Sequence, residues 1–396
     1  ETAIMDIKQL INDRYDSMVD LRRYMHQHPE ISFQEMNTKK WIYDQIKGLG
    51  LDIRQDVGGN GIVARLQVND EFETVALRAD FDALPINDEK DVPYKSTVPG
   101  VMHACGHDAH TAMLITMAKI LSEHKDKLPV NVVFLHQHAE ELLPGGAKAM
   151  IEDGALDDVD YVLGTHVSTK FPVGTIKYNY DTMYANADSF KITVNGLGGH
   201  GATPQVTHDP IVASASMIQQ IQTIVSRSVS PLDSAVVTIG AYNAGSVFNV
   251  IPGKAEIKGT FRTYTEDVRQ TVAKRLEQIC LGISTSFNVN ADLEIMYSYP
   301  SMKNDHALLD YVTGNVREDA AFVSGVEEVG PAMGREDFSY FIQEKPGCYF
   351  YTGVRNSEKK ADIPHHNPMF DIDEEGMKTG VETLLKAVLN FDKRSK

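Results

Sequence analysis

Ser189-Phe190-Lys191-Ile192-Thr193-Val194 alternates apolar and polar side chains and then runs into the glycine-rich stretch Asn195-Gly196-Leu197-Gly198-Gly199-His200-Gly201. A period of two that ends in turn residues marks a half-buried strand. Downstream, the apolar spacing predicts a helix over 210–225, strands over 235–242 and 255–262, a helix over 266–282 and a strand over 291–298. That order is βαββαβ, the split βαβ pattern of a ferredoxin-like module, and the segment is long enough to form a separate domain.

Working outward, Ile4, Ile7, Leu10, Ile11, Met18 and Leu21 recur at three- and four-residue spacings, which predicts an amphipathic helix ending near His28-Pro29. A second helix is expected around Trp41. Strands are expected over 61–68 and 74–79, a helix over 111–122, and buried strands over 130–135 and 160–164. After Pro300 the alternation of helix and strand resumes and closes on a long helix over 374–389. Such alternation favours a sheet held between helices. The expected fold class is therefore α/β: a larger domain in two parts, 1–183 and 297–396, with the βαββαβ module, 184–296, inserted between them.

At roughly one domain per ~150 residues, a chain of 396 has room for two or three domains and a proper core. Lys and Arg number 38 against 55 Asp and Glu, a net charge of −17. That balance argues against phosphate backbones and anionic lipid surfaces, so neither a nucleic-acid nor a membrane partner is expected. No apolar run approaches the ~18–20 residues of a membrane helix. Asp6, Lys8, Asp13, Arg14 and Asp16 stand where a signal peptide would be apolar, and a cytoplasmic location is expected. The 3 cysteines are odd in number and widely separated, which predicts reduced thiols rather than a disulfide framework. Cys280 and Cys348 have apolar neighbours and read as small buried hydrophobes. Cys105 keeps different company.

Half of the 14 histidines (His103, His107, His110, His124, His136, His138 and His166) fall between positions 103 and 166, far more than an even spread would place there. The densest part is Met102-His103-Ala104-Cys105-Gly106-His107-Asp108-Ala109-His110. Thiolate and imidazole together suit zinc and other borderline metals, and small neighbours let the backbone fold around an ion. A polar loop capping the next helix would have a similar composition. His136-Gln137-His138-Ala139-Glu140-Glu141 follows the strand expected over 130–135, and α/β sheets carry functional groups at the carboxyl ends of their strands. Adjacent carboxylates point in different directions, so one can bind a metal while the other faces the water used in hydrolysis. Alone, the pair is also compatible with a solvated loop, and His166, one strand later, with a core histidine. Pro364-His365-His366-Asn367-Pro368 offers two more imidazoles in a stiffened loop, of which only one need bind.

In this order the residues resemble the dinuclear metallopeptidase family of aminoacylases and glutamate carboxypeptidases, and within it the N-acyl-amino-acid amidohydrolases, which include hippurate and auxin-conjugate hydrolases. The resemblance runs from about Leu21 to Glu375. It rests on Leu77-Arg78-Ala79-Asp80-Phe81-Asp82-Ala83-Leu84-Pro85, Met102 to His110, Ala139-Glu140-Glu141, Gly199-His200, Asn249-Val250-Ile251-Pro252, Gly259-Thr260-Phe261-Arg262, Gly334-Arg335-Glu336-Asp337-Phe338 and His366-Asn367-Pro368.

What the resemblance implies is specific. Cys105, His107, Glu141, His166 and His366 would bind two divalent metal ions per subunit, manganese or zinc, with Cys105 in the place of the peptidase branch's bridging aspartate. Glu140 would be the general base, and Asp82 would support the ligands from behind. His200, Asn249 and Arg262 would hold the substrate. The inserted module would be a dimerisation domain, giving a homodimer in which His200 stabilises the oxyanion from the partner subunit. The implied reaction converts an N-acyl amino acid to a carboxylic acid and a free amino acid. A carboxypeptidase or dipeptidase acting on a short peptide is the alternative on the same scaffold, and a non-catalytic metal-binding protein would be expected had Glu140 been replaced. Three positions depart from the pattern. Asp80-Phe81-Asp82 stands where the peptidase branch has His-x-Asp, so His107 takes the missing ligand's place. His138 replaces the usual Pro, and Arg335 a usual small residue that bears on substrate size and charge.

Overall fold

The computed structural model describes residues 6–393, so Ile4 lies outside the described residues. They gather into two compact units: residues up to Met183 with Lys303–Gly330 and everything from Glu336 on, and Tyr184–Met302 with Pro331–Arg335.

In the first unit, helix α1 (Ile7–Gln27) starts where the Asp6 side chain accepts a hydrogen bond from Gln9 N–H, and it buries Ile11, Met18, Leu21 and Met25 along one face. Helix α2 (Met36–Ile46) follows. Strands β1 (Asp52–Val57), β2 (Gly61–Leu66) and β3 (Thr74–Asp80) lead to helix α3 (His107–Glu123), then to β4 (Asn131–Gln137), β5 (Tyr161–Pro172) and β6 (Thr175–Tyr178). With Gly325–Glu328 and Gly347–Arg355 they form an eight-stranded sheet in the order β1-β2-β4-β3-β5-(347–355)-β6-(325–328). The sheet is mixed. β3 runs parallel to both β4 and β5, whereas β1 and β2, and β2 and β4, are antiparallel. β3 and β4 are buried at every residue, as strands covered on both faces must be. One continuous core joins α1, α3 and the helix Gly376–Leu389 to the sheet, through Met18, Leu77, Ile115, Phe134, Phe350 and Leu385 among others. No helix among the described residues is long and apolar enough to cross a membrane.

Two boundaries differ from expectation in a way that shapes the site. α3 begins at His107 rather than 111, because Gly106 takes φ 97°, open to glycine at little cost, and turns the chain into the helix early. β5 continues to Pro172 because Gly347–Arg355 pairs in parallel along it, a partner remote in sequence.

A buried ion cluster ties α1 to the segment around α3. Arg22, fully buried, lies 3.2 Å from Asp108, 2.8 Å from Asp371 and 3.2 Å from Glu374. Burial alone would raise Asp108 and Asp371, but Arg22, joined by His26 at Asp108 and by Tyr94 at Asp371, outweighs it and holds both below the usual carboxylate range. Their contribution to stability is therefore present above about pH 4 and fades as the pH falls through the lowered values. Arg22→Met leaves these carboxylates buried without their cation and should cost about 3–5 kcal/mol in denaturant unfolding at neutral pH. A loss under about 1 kcal/mol would show that the cluster is not held by Arg22.

The second unit carries a four-stranded antiparallel sheet in the order Ala235–Ala244, Lys254–Thr263, Asn186–Asn195, Asn290–Met296. Residues of Asn186–Asn195 alternate strictly between buried and half-buried. Helices Pro210–Thr223 and Glu266–Phe287 pack on the buried side through Met217, Ile221, Leu276 and Ile283, against Phe190, Ile192 and Ile257. This is the βαββαβ arrangement expected from the periodicity.

Candidate metal centre

Adjacent strands of the mixed sheet end close together, and their carboxyl ends deliver the side chains. β3 ends in Asp80, with Asp82 two residues on. β4 is followed by Glu140 and Glu141, and β5 carries His166. Cys105 sits in the loop before α3 and His107 on its first residue, while His366 lies in the loop before Gly376–Leu389. His366 N–H donates to Ala104 O at 2.7 Å, which ties that loop to the Cys105 segment.

The potential donor atoms fall into overlapping groups, each within 4.8 Å: Cys105, His107 and His166; Cys105, Glu141 and His366; His107, Glu140 and Glu141. The structure therefore brings together all five residues expected as ligands, with the expected base beside them. Two further groups, Asp80 with His107 and His110, and Asp80 with Glu140 and Glu336, extend the cluster inward.

Hydrogen bonds sort the histidines. His107 Nδ1 faces Asp82 O at 2.9 Å and Asp82 Oδ1 at 3.0 Å, and His166 Nδ1 faces Val167 O at 2.6 Å. With Nδ1 as donor, the Nε2 lone pair of each is left for an ion, the usual arrangement of metal-binding histidines. His166 Nε2 lies 3.6 Å from Cys105 Sγ, and His366 Nε2 3.4 Å from Glu141 Oε1. His110 and His365 behave differently. His110 Nε2 accepts Val167 N–H at 3.0 Å while Nδ1 bonds Asp80 Oδ1 at 2.6 Å. His365 Nε2 accepts Thr169 N–H at 3.2 Å and Nδ1 donates to Cys105 O at 3.0 Å. Both nitrogens of each ring are spent, so these two brace the site. Of the two imidazoles in the proline-stiffened loop, His366 is the one with Nε2 at the cluster.

Asp82, buried, takes His107 on one oxygen and Glu141 N–H on the other, at 2.9 Å, with Ser32 Oγ donating to the same atom at 2.7 Å. Behind Glu140, Arg78 donates to Glu336 and Asp337, both at 3.0 Å. Tyr349 Oη donates to Glu336 at 2.7 Å. Ser32, Arg78 and Glu336 were not expected in a site role, although Arg78 and Glu336 lie in quoted motifs; His110 and His365 were among the candidate imidazoles and take a bracing place instead.

The electrostatics fit a cation. Burial pushes His107 down, but Asp80 and Asp82 outweigh it and raise it well above its ordinary range. Burial, then Glu141 and Glu140, raises the Cys105 thiol, and burial, then Glu336 and Glu141, holds Glu140 well above the usual carboxylate range. Burial, with His110 and His365 adjacent, keeps His166 neutral. His107 Nε2 and Asp80 Oδ2 are buried 3.2 Å apart without a well-formed hydrogen bond among the described residues. Positive charge at this point would satisfy both and relieve the crowding of acids. Thiolate, imidazole and carboxylate together form a donor set for divalent metal ions.

In the second unit, His200 and Asn249 are brought side by side. Gly199–His200 pairs with Val250–Ile251, and Gly201 N–H donates to Asn249 O at 2.9 Å. A Cβ on Gly198 would sit 2.4 Å from Ile251 O, so this close approach needs glycine. His200 Nδ1 accepts Ala202 N–H at 3.0 Å, which leaves Nε2–H as an exposed donor. Arg262 is exposed on Lys254–Thr263, opposite Val236 and Ala187.

The sequence matches the profile of peptidase family M20/M25/M40 over residues 76–390. It is 40% identical to the N-acyl-L-amino acid amidohydrolase of Geobacillus stearothermophilus, over 82% of this chain and 86% of that one. Identity to thermostable carboxypeptidase 2 of Saccharolobus solfataricus is 37%, over 94% and 95%. A solved Bacillus subtilis structure described as a dinuclear metal binding peptidase from the M20 family superposes with a TM-score of 0.81 at 29% identity, covering 97% of this chain and 99% of that one.

Proposed function

This chain belongs to peptidase family M20/M25/M40, and from that membership we propose that it hydrolyses the amide bond of N-acyl amino acids, releasing a carboxylic acid and a free amino acid. The observation that carries the reading is the buried Glu140 beside a convergent set of sulfur, imidazole and carboxylate donors. Cys105, His107, Glu141, His166 and His366 would hold two divalent ions, zinc or manganese. Cys105 belongs to two of the donor groups, which supports its role as the shared ligand. When bound, the ions supply Lewis acidity, lowering the pKa of water and polarising the scissile carbonyl.

Glu140 takes the proton of the attacking water and returns it to the leaving amine. Asp82 fixes His107 and Glu141 in place, and Arg78 bonds Glu336 and Asp337 behind the base, its single charge offsetting part of theirs. His200, with its Nε2–H outward, stabilises the oxyanion of the partner subunit's site, and Asn249 and Arg262 hold the substrate's α-carboxylate. The second unit forms a homodimer, which its exposed edge strand Ala235–Ala244 favours. The likeness to a carboxypeptidase supports one other reading, hydrolysis of short peptides on the same scaffold.

Hippurate and other N-acyl amino acids assayed against dipeptides separate the two readings by which class has the higher kcat/KM. For either class, amidating the substrate's carboxylate should depress kcat/KM, and Arg262→Ala should narrow that preference by about 10–100-fold, the worth of a charge-assisted contact. If parent and variant discriminate equally, Arg262 is not the anchor.

A further inference from the structure

The segment between α1 and α2 carries Ser32, Phe33 and Glu35, and all three reach the turn that presents Glu140. Ser32 acts through Asp82 on Glu141 N–H, and the Phe33 ring meets the His138 ring edge-on at 6.0 Å. The contact made by Glu35 is the most direct. Its side chain is fully buried, Oε2 accepts Ala139 N–H at 2.8 Å, and Oε1 accepts from Asn60 Nδ2 at 3.3 Å.

Ala139 adopts φ 54°, the left-handed region that a residue with a Cβ avoids unless its surroundings hold it there. It is also fully buried, so its N–H would have no solvent to turn to if Glu35 were absent. The next residue is Glu140. Where the chain leaves β4, the left-handed turn at Ala139 therefore lies immediately before that carboxylate.

We propose that Glu35 is the positioning residue of the general base: by accepting Ala139 N–H it holds the left-handed turn that aims Glu140 at the metal centre, an inference that rests on the role of Glu140 given above. The contact needs an acceptor oxygen and does not need a charge. Burial, with Asp82 nearby, pushes the Glu35 carboxyl up to about 7, so a neutral amide is a fair stand-in for it.

The test compares kcat, KM and metal content in the metal-loaded parent, Glu35→Ala, Glu35→Gln, Ala139→Gly and the double variant Glu35→Ala/Ala139→Gly. Glu35→Ala should lower kcat by on the order of 10–100-fold, as expected for a misaimed group, with KM and metal content little changed. Glu35→Gln should stay within about threefold of the parent, since its amide oxygen accepts the same N–H. Glycine holds the left-handed turn unaided, so in the Ala139→Gly background removing Glu35 should cost under about fivefold. The proposal is overturned by a folded Glu35→Ala with kcat within about twofold of the parent, by Glu35→Gln losing as much as Glu35→Ala, or by equal losses in both backgrounds. Should Glu35→Ala fail to fold, Glu35→Met removes the acceptor at similar length and is read with the same expectations. A parent inert towards every N-acyl amino acid and peptide would sink the functional reading instead. The Ala139 N–H would still test the contact, exchanging slowly in the parent and fast once Glu35 is gone.

Discussion

Glu140→Gln should lower kcat by roughly 10³-fold, within the ~10²–10⁴ that positioned proton transfer contributes, while metal content and KM stay close to those of the parent. Gln keeps the shape and a hydrogen-bonding oxygen, and loses only the ability to carry a proton from water to amine. The surroundings make the substitution clean. Burial, then Glu336 and Glu141, disfavours the Glu140 carboxylate and holds it well above the usual range, so in the metal-free protein the amide does not remove a charge that its surroundings favour. Thermal stability of the metal-free variant should therefore equal or exceed that of the parent. Steady-state kinetics with metal analysis checks the prediction. Turnover within about tenfold of the parent at full metal occupancy would leave Glu140 without the role of base.

A cluster of candidate donors was legible in the sequence because its chemistry is local, whereas the particular set Cys105, His107, Glu141, His166 and His366 came only from the family resemblance. A thiol and imidazoles among Ala and Gly, and paired carboxylates after an apolar run, stand out without any fold. What the residues by themselves do not distinguish, without the resemblance, is which histidines face the donor cluster and which brace it. His110 and His365 look in sequence like His107 and His366. They are separated from them by hydrogen bonds to Val167 and Asp80, and to Thr169 and Cys105, the last across 260 positions. Arg78 and Glu336 were hidden for the same reason, since a buried ion pair 258 residues apart leaves no periodic signal. The fold followed a similar line. Strands with strong apolar runs or clean alternation were foreseen, as was the βαββαβ order. β1, whose Asp-Ile-Arg-Gln-Asp-Val is exposed along most of its length at the sheet edge, offers neither pattern. Glu35 shows the limit most plainly. Nothing local distinguishes it from a solvated helix-start glutamate, yet the strained alanine it holds directly precedes the proposed base.

Cys105→Ser should lower metal content and activity together. Cys105 is the donor common to the His107/His166 group and the Glu141/His366 group, so its loss weakens both positions. A serine hydroxyl stays protonated where a thiol near a cation gives up its proton, and a neutral oxygen is a poor replacement for a thiolate. Metal affinity should fall by at least about 10–100-fold, as measured by competition with a chelator. The thiol also predicts a pH signature. Burial, then Glu141 and Glu140, raises the Cys105 pKa well above its ordinary value in the metal-free protein. Binding must therefore expel that proton, and the affinity of the parent weakens as the pH falls. Serine has no such proton to release, so the variant should liberate about one proton fewer on metal binding, a difference calorimetry reads from buffers of unlike ionisation heat. Full occupancy at parental affinity, or an unchanged proton count, would remove Cys105 from the ligand set and leave the site to its imidazoles and Glu141.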